Sequence, residues 1–337
     1  MLITVLGLPT SSSHRAALAI RAIVQVALGD VDFLHFSTLE QLKEQWSLRR
    51  SNNVILYTDD PDEKTSQLLA SKARQIIFLA EDPIFVALCM QQKFNRQFRA
   101  SLMLTSSIFA SFHDIVVGES NVLILPPEKR FTPNLLIAGV LSFLDIALPD
   151  ERTEEIVDAI ADLDPGGERV EAALDSDTSY AMTAEERIMA QSLIPYRSIF
   201  TNGATVRFNW PRQLFLGTDQ VGAPTGTSLP EVIELVGPAR ILSYGPYFHL
   251  PRGVWLLRTF LEVEDNYSGN ELTIEIMIGQ EILVHRPALL PIQGSYSFEV
   301  PFTVTEPRYP VEHRLQLRQG AIEGVLILKK VEITRVN

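Results

Sequence analysis

The hydrophobic period of this chain changes once along its length, and that change limits the folds open to it. Up to about residue 149, short apolar runs of strand length (LITVLGL, VDFLHF, NVILYT, QIIFLA, NVLILP) alternate with stretches of helical spacing. These are Arg15 to Leu28, TLEQLKEQWSLRR, PDEKTSQLLASKA, and residues 83–98 and 133–148. Alternating β and α elements imply a parallel sheet covered by helices. From about residue 200 the helical period is gone. Nine strand-like runs follow one another with turn residues between them: ATVRFNW, EVIELVG, ARILSYG, GVWLLRTFLEVE, ELTIEIMIG, EILVHR, YSFEVPFTV, VEHRLQLR and GVLILKKVEITRV. Strict alternation, as in LTIEIMI and HRLQLR, predicts antiparallel strands in two packed sheets, a jelly-roll sandwich. The expected fold is an α/β parallel-sheet domain over residues 1–149 and an all-β antiparallel sandwich over residues 200–337.

Residues 150–199 join the two. Between 150 and 187 the chain has 13 acidic and three basic residues, so this segment accounts for most of the net charge of −12. EEIVDAIADL has helical spacing, and Thr183 with Glu186 is spaced as a capping box ahead of a short helix that Pro195 closes. The expectation is an acidic, mobile, partly helical linker. What remains is two nearly neutral domains with no broad cationic face, which excludes nucleic acid as a partner.

Cys89 is the one cysteine, so no intramolecular disulfide and no cysteine-based zinc site can form. No metal site and no cofactor are expected. The first residues, MLITVLGLPT, lack a basic region and break at Gly7 and Pro9, as a buried strand does and a signal peptide does not. LLIAGVLSFLDIAL is short enough for a core helix, so no transmembrane segment is expected, and the expected location is cytoplasmic.

The first strand is followed by the polar turn PTSSSH and then a helix, an arrangement that presents backbone N–H groups and the positive end of a dipole to an anion. The candidate anion-binding or nucleotide-binding residues are Thr10, Ser11, Ser12, Ser13, His14 and Arg15. A Walker motif is absent, since Gly7 is the lone glycine here and no lysine follows. The segment Pro9-Thr10-Ser11-Ser12-Ser13 resembles the P-[RK]-[ST]-G-[TS] loop of the sulfotransferase family, which cradles the 5′-phosphate of the sulfate donor. Glu81-Asp82-Pro83 resembles that family's second element, R-D-P-x-x-x-x-x-S, which also follows a strand. The resemblance covers residues 1–148 and implies a P-loop architecture. The departures all weaken anion binding: Thr10 stands for the loop's basic residue, Ser12 for its glycine, Glu81 for the arginine on the 3′-phosphate, and Cys89 for the serine. Glu81 costs most, because it replaces an attraction with a repulsion. The expectation is a degenerate nucleotide-binding domain.

Other candidate sets read as structural. Ser11 to Ser13 beside His14 lack a nucleophile elbow, so capping of the helix by a serine is preferred. His113-Asp114 reads as a local contact, and Asp59, Asp60 and Asp62 as a solvated N-cap cluster. No catalytic residue is assigned.

In the second domain GPARILSYGPYFHLPRGVW (residues 237–255) places two turns among aromatics, Tyr244-Gly245-Pro246-Tyr247 and Pro251-Arg252-Gly253 before Trp255. This layout is similar to the "GPY…LP.G.W" turns of galactose-binding-like carbohydrate-binding modules in bacterial proteins linked to polysaccharide assembly. The likeness covers residues 203–335. The candidate carbohydrate-binding residues are Tyr244, Tyr247, His249, Arg252, Arg240 and Trp210, whose rings would stack on sugar C–H faces while charged groups bond hydroxyls. Trp255 is assigned to the core, and Glu312 and Arg314, alternating on one strand, share a face where they can pair with each other rather than hold ligand. The resemblances together imply a non-catalytic accessory or scaffold protein of polysaccharide or glycoconjugate assembly, with a carbohydrate or a protein as partner. The alternatives are a sulfotransferase acting on a glycan, and a jelly roll serving as an oligomerisation module.

Overall fold

The computed structural model describes residues 1–118, 121–127, 132–161, 163, 181–201, 203–218 and 227–336. It divides into two compact units, residues 1–96 with 111–181, and residues 97–110 with 182–337.

The first unit is built on five parallel strands, β1 (Leu2–Leu6), β2 (Val31–His35), β3 (Asn53–Thr58), β4 (Ile76–Leu79) and β5 (Val122–Leu125), in the order β2-β3-β1-β4-β5. Its helices are α1 (Ser11–Leu28), α2 (Leu39–Ser47), α3 (Glu63–Lys72), α4 (Pro83–Phe94), the C-terminal third of α5 (Phe98–Val117), α6 (Pro133–Phe143) and α7 (Asp150–Ala161). Alternate residues of each strand serve opposite faces. Ile3, Val5, Ile55, Tyr57, Ile77 and Leu79 pack under the alanine-rich face of α1 and under α6 and α7. Leu34, Val54 and Leu56 meet Leu42 of α2 on the other face. Residues 150–161, expected in the linker, are thus a helix whose Ile156 is fully buried in this core. Residues 164–180, the middle of the acidic stretch, lie outside the described residues.

Helix α5 was not read from the sequence at all. By length and composition it is long and apolar enough to cross a membrane, against the expectation of no such segment, although most of its apolar stretch is buried in the protein. Phe112 meets Phe78 edge-on in the first unit, and Phe109 meets Tyr196 edge-on in the second.

The second unit holds two antiparallel sheets. Its strands are β6 (Arg207–Pro211), β7 (Leu216–Gly217), β8 (Thr227–Ser228), β9 (Ile233–Glu234), β10 (Arg240–Phe248), β11 (Gly253–Glu264), β12 (Glu271–Ile278), β13 (Glu281–Leu289), β14 (Gly294–Val304), β15 (Val311–Leu317) and β16 (Val325–Val336). One sheet runs β13-β12-β15-β10-β7-β8 and the other β14-β11-β16-β6, with β9 beside β16. All nine runs read from the sequence are strands; the two-residue β7 and β8 were missed. Before them stands α8 (Ala184–Ala190), started by the expected Thr183–Glu186 capping box.

The sandwich core follows from alternation. Trp255, Leu257, Leu261 and Val263 of β11 point inward with Leu242 and Phe248 of β10 and Leu315 and Leu317 of β15. In β16 the inward set changes parity, Leu326 and Leu328 giving way to Val331 and Ile333. The register shift opposite Phe260 and Leu261 inserts the extra residue, so both halves of the strand keep an apolar face inward.

Candidate functional site

At the carboxyl end of β1 the chain turns through Gly7 to Pro9 and enters α1. The chain leaves β1 toward β2 on one side of the sheet and leaves its neighbour β4 toward β5 on the other, so this loop stands where open α/β sheets place their ligands. Thr10 is the N-cap: its Oγ1 accepts from the Ser13 N–H at 3.1 Å. The cap expected of a serine is therefore made by the threonine, and α1 begins four residues before the expected Arg15 because all three serines fit its first turn. Ser13 Oγ accepts from the Leu8 N–H at 3.2 Å and is fully buried, which closes the loop on itself. Ser11 is exposed, and His14 and Arg15 are half-buried on the following turn.

Parallel pairing of β1 with β4 brings Glu81 to the same place. Ser12 Oγ donates to Glu81 Oε1, Thr10 Oγ1 donates to the same oxygen at 3.4 Å, and the two hydroxyls lie 3.0 Å apart. Ser12 is 4% and Glu81 8% exposed. The anion at the N-terminus of α1 is thus the protein's own carboxylate, that of Glu81. Asp82 next to it is spent on capping α4, accepting from the N–H groups of Ile84 and Phe85, with Pro83 at the first helical turn.

Beside this loop the rings of His14, His35 and Tyr57 cluster at tilted angles, with centroids 4.8–5.7 Å apart. Gly7 leaves room for the tyrosine, since a Cβ there would lie 2.8 Å from its ring and hydroxyl. His35 Nε2 lies 3.5 Å from Asp59 Oδ1. Burial, and then the neighbouring His35, lower the pKa of His14 against the opposing pull of Asp59. Burial, and then Asp59, raise that of Asp60. Asp62 caps α3 through the Thr65 N–H at 2.8 Å, as expected. His113 Nδ1 meets Asp114 3.4 Å away, a contact within α5. Among the described residues no group of histidine, cysteine and carboxylate side chains is arranged to hold a metal.

The sandwich carries a second constellation. Strand register sets Tyr244 of β10 opposite Arg314 of β15, Arg314 opposite Glu275 of β12, and Glu275 opposite His285 of β13, one row across four strands. Cross-strand partners share a face, and Glu312, two residues from Arg314, shares it too. Arg314 holds Glu312 with both arms of its guanidinium, at 2.6 and 3.0 Å, the pairing their alternation allows. Tyr247 Oη donates to Glu312 Oε1 at 3.1 Å, and His285 Nδ1 lies 2.9 Å from Glu275 Oε1. Burial, and then the Glu312 charge, push the Tyr247 hydroxyl well above the usual phenol range, so it stays a donor. The Tyr244 and Tyr247 rings meet edge to face at 6.3 Å.

The other candidates of this domain are not brought to the row. Trp210 is fully buried and meets Phe248 edge-on in the core, so it offers no face to a sugar. Arg240 spends its guanidinium on the carbonyls of Glu234, Leu235 and Pro238. His249 is a structural link: its N–H donates to Ser106 Oγ, its carbonyl accepts from Tyr196 Oη, and its Nδ1 meets the Pro307 carbonyl. Arg252 is exposed, 3.7 Å from Glu306. Trp255 lies in the core as expected, donating from Nε1 to the Pro251 carbonyl. Glu275 and His285 were not singled out from the sequence. The available signal was a lone carboxylate inside the apolar run LTIEIMI.

No family model matches the sequence, and no curated protein matches it. Among solved structures, a mouse sulfotransferase complexed with PAP is similar over 47% of this chain and 63% of its own length, with 16% identity and a TM-score of 0.35. A xylan-binding module, CBM15, is similar over 40% of this chain and 99% of its own, with 11% identity and a TM-score of 0.30. A CBM61 module complexed with β-1,4-galactotriose covers 31% of this chain and 69% of its own, with 11% identity and a TM-score of 0.24. The sulfotransferase likeness falls on the N-terminal part and the carbohydrate-binding modules on the β-sandwich. At such scores none of them bears on function.

Proposed function

We propose that this chain is a non-catalytic glycan-binding protein that takes carbohydrate on the outer face of the β10–β13 sheet. The observation that carries this reading is the row Tyr244–Arg314–Glu275–His285 with Tyr247 and Glu312 beside it. A pyranose has a C–H face that an aromatic ring complements and a rim of hydroxyls that needs donors and acceptors at fixed points. The tyrosines supply the rings. Arg314, held by two bonds to Glu312, supplies spare donors, and His285 and Glu275 extend the polar row. Because these groups already bond one another, little side-chain freedom is lost on binding, which favours affinity.

The accessory role follows from the first unit. A donor nucleotide needs the N-terminus of α1, and Glu81 fills it, so a phosphate arriving there meets a buried carboxylate rather than an open cradle. This argues against the glycan sulfotransferase. The setting of polysaccharide or glycoconjugate assembly rests on the turns around Tyr244 and Pro251.

The test is a glycan array followed by calorimetry on the best ligand with the full chain. Tyr244→Ala and Arg314→Gln are each expected to weaken binding by about 10-fold or more, roughly 1.4 kcal/mol, while Arg252→Ala leaves it unchanged. Absence of any glycan ligand, with Tyr244→Ala altering only self-association, would replace this reading with an oligomerisation module.

A further inference from the structure

The face of the parallel sheet opposite α1 is thinly covered where α2 and α3 cross it. Leu2 and Thr4 of β1 and Leu56 of β3 form the floor of a cavity of about 580 Å³ there, and Leu42, Trp46, Leu68 and Leu69 stand as its walls. Its lining is almost wholly carbon. Thr4 at 2%, Leu69 at 3% and Leu56 at 6% exposure make its base, while Leu2, Trp46 and Leu68 remain partly exposed at a mouth open to solvent. A volume in the range of roughly 300–1,000 Å³ is that of small-molecule sites.

The charge at this cavity has one sign. Lys43 of α2 and Lys72 in the last turn of α3 both line it and are both exposed, their carbon stems extending the apolar wall and their ammonium groups reaching solvent. Neither is engaged in an ion pair among the described residues, and no acidic side chain lines the cavity. A carbon-walled chamber with two uncompensated cations at its rim complements a molecule with one apolar tail and one anionic head. We infer that the α2–α3 cavity binds a long-chain carboxylate, its acyl chain on Leu56 and Leu69 and its head between Lys43 and Lys72. This site is separate from the glycan row and independent of it.

The chain carries its own probe. Of its three tryptophans, Trp210 and Trp255 are fully buried in the sandwich, whereas Trp46 lines this cavity and is partly exposed. Titration of the full chain with a bromine-labelled dodecanoate is expected to quench the Trp46 emission saturably, and unlabelled dodecanoate to compete. Lys43→Gln with Lys72→Gln, two surface changes that leave the core untouched, is expected to weaken dodecanoate about 10-fold while leaving dodecanol unchanged. Ala73→Leu, which fills the chamber, is expected to abolish both. The inference is overturned if no quenching occurs below the micellar concentration, if dodecyltrimethylammonium binds as tightly as dodecanoate, or if the lysine variant binds undiminished. A concentration-dependent dimer that buries Trp46 would assign the cavity to a second copy of the chain and overturn it as well.

Discussion

Glu81 and Ser12, 69 residues apart in sequence, share a hydrogen bond at the N-terminus of α1, with the Thr10 hydroxyl directed at the same carboxylate oxygen. An acidic side chain there is stabilised by the helix dipole and by charge-assisted bonds, so the loop is a finished structural unit. Removing the carboxylate leaves the Thr10 and Ser12 hydroxyls to bond each other, so one buried donor loses its acceptor. Glu81→Ala is expected to cost about 1–3 kcal/mol in denaturant unfolding. The same change frees the helix end, so inorganic pyrophosphate is expected to bind Glu81→Ala weakly and the parent not at all. Calorimetry on the two proteins checks it, and equal binding by both would mean that Glu81 does not occupy the anion position.

Gly7 lies one residue past β1, under the Tyr57 ring. Its need for no side chain comes from space and not from backbone angle, because a Cβ would sit 2.8 Å from ring atoms. Tyr57 is fully buried and in ring contact with both His14 and His35, so it has little room to retreat. Gly7→Ala is expected to destabilise the first unit by about 1–3 kcal/mol through overpacking. Gly7→Ala combined with Tyr57→Leu should recover part of that loss, a coupling readable in thermal melts.

His313 lies between the sheets of the sandwich, fully buried, with Nε2 3.0 Å from Thr259 Oγ1 and its ring edge-on to Phe215. Burial brings its pKa down from 6.5 to about 3. The unfolded chain binds a proton at this residue below about pH 6.5 and the folded chain does not. Stability is therefore complete above pH 6.5 and falls as pH drops toward 3, by a few kcal/mol in all. His313→Gln keeps a partner for Thr259 and removes the titration. Between pH 6.5 and 4 its urea midpoint is expected to fall less steeply than that of the parent, the carboxylates contributing equally to both.

Much of the architecture was legible because period and face coincide. The five strands of the parallel sheet, and the eight longer strands of the sandwich with the short β9, announced themselves through runs such as NVILYT and HRLQLR. Helix α5 did not, since FRASLMLTSSIFASFHDIVV is apolar nearly all round and shows little periodic contrast. The role of Glu81 could be suspected from the motif it interrupts, but its meeting with Ser12 depends on β4 pairing beside β1, a long-range fact. The row across β10, β15, β12 and β13 was half visible. Tyr244 and Tyr247 stand out in a turn-rich stretch, and Glu312 and Arg314 pair as their alternation allows. Glu275 and His285 enter only through the register of β12 with β15 and β13, which no local pattern encodes. Arg240 and Trp210 failed as candidates for the opposite reason, their chemistry being absorbed by a loop and by the core.

Tyr247 has φ of 65°, a left-handed conformation that a bulky residue adopts at a cost of about 1–2 kcal/mol. Glycine would take it freely. The tyrosine that stands there instead aims its hydroxyl at Glu312, the carboxylate that also fixes Arg314, so the strained position is spent on orienting the row. Tyr247→Gly separates the two roles. Relief of the backbone offsets the lost bond and ring contact, and unfolding free energy is expected to change by less than about 1 kcal/mol. Glycan affinity is expected to fall about 10-fold or more, as for Tyr244→Ala. Tyr247→Phe keeps the ring and loses the bond, and should fall between the two in affinity while being the less stable variant, since the backbone strain stays. Denaturant melts and calorimetry on the three proteins give the ordering, and a Tyr247→Gly protein that binds glycan as the parent does would remove Tyr247 from the site.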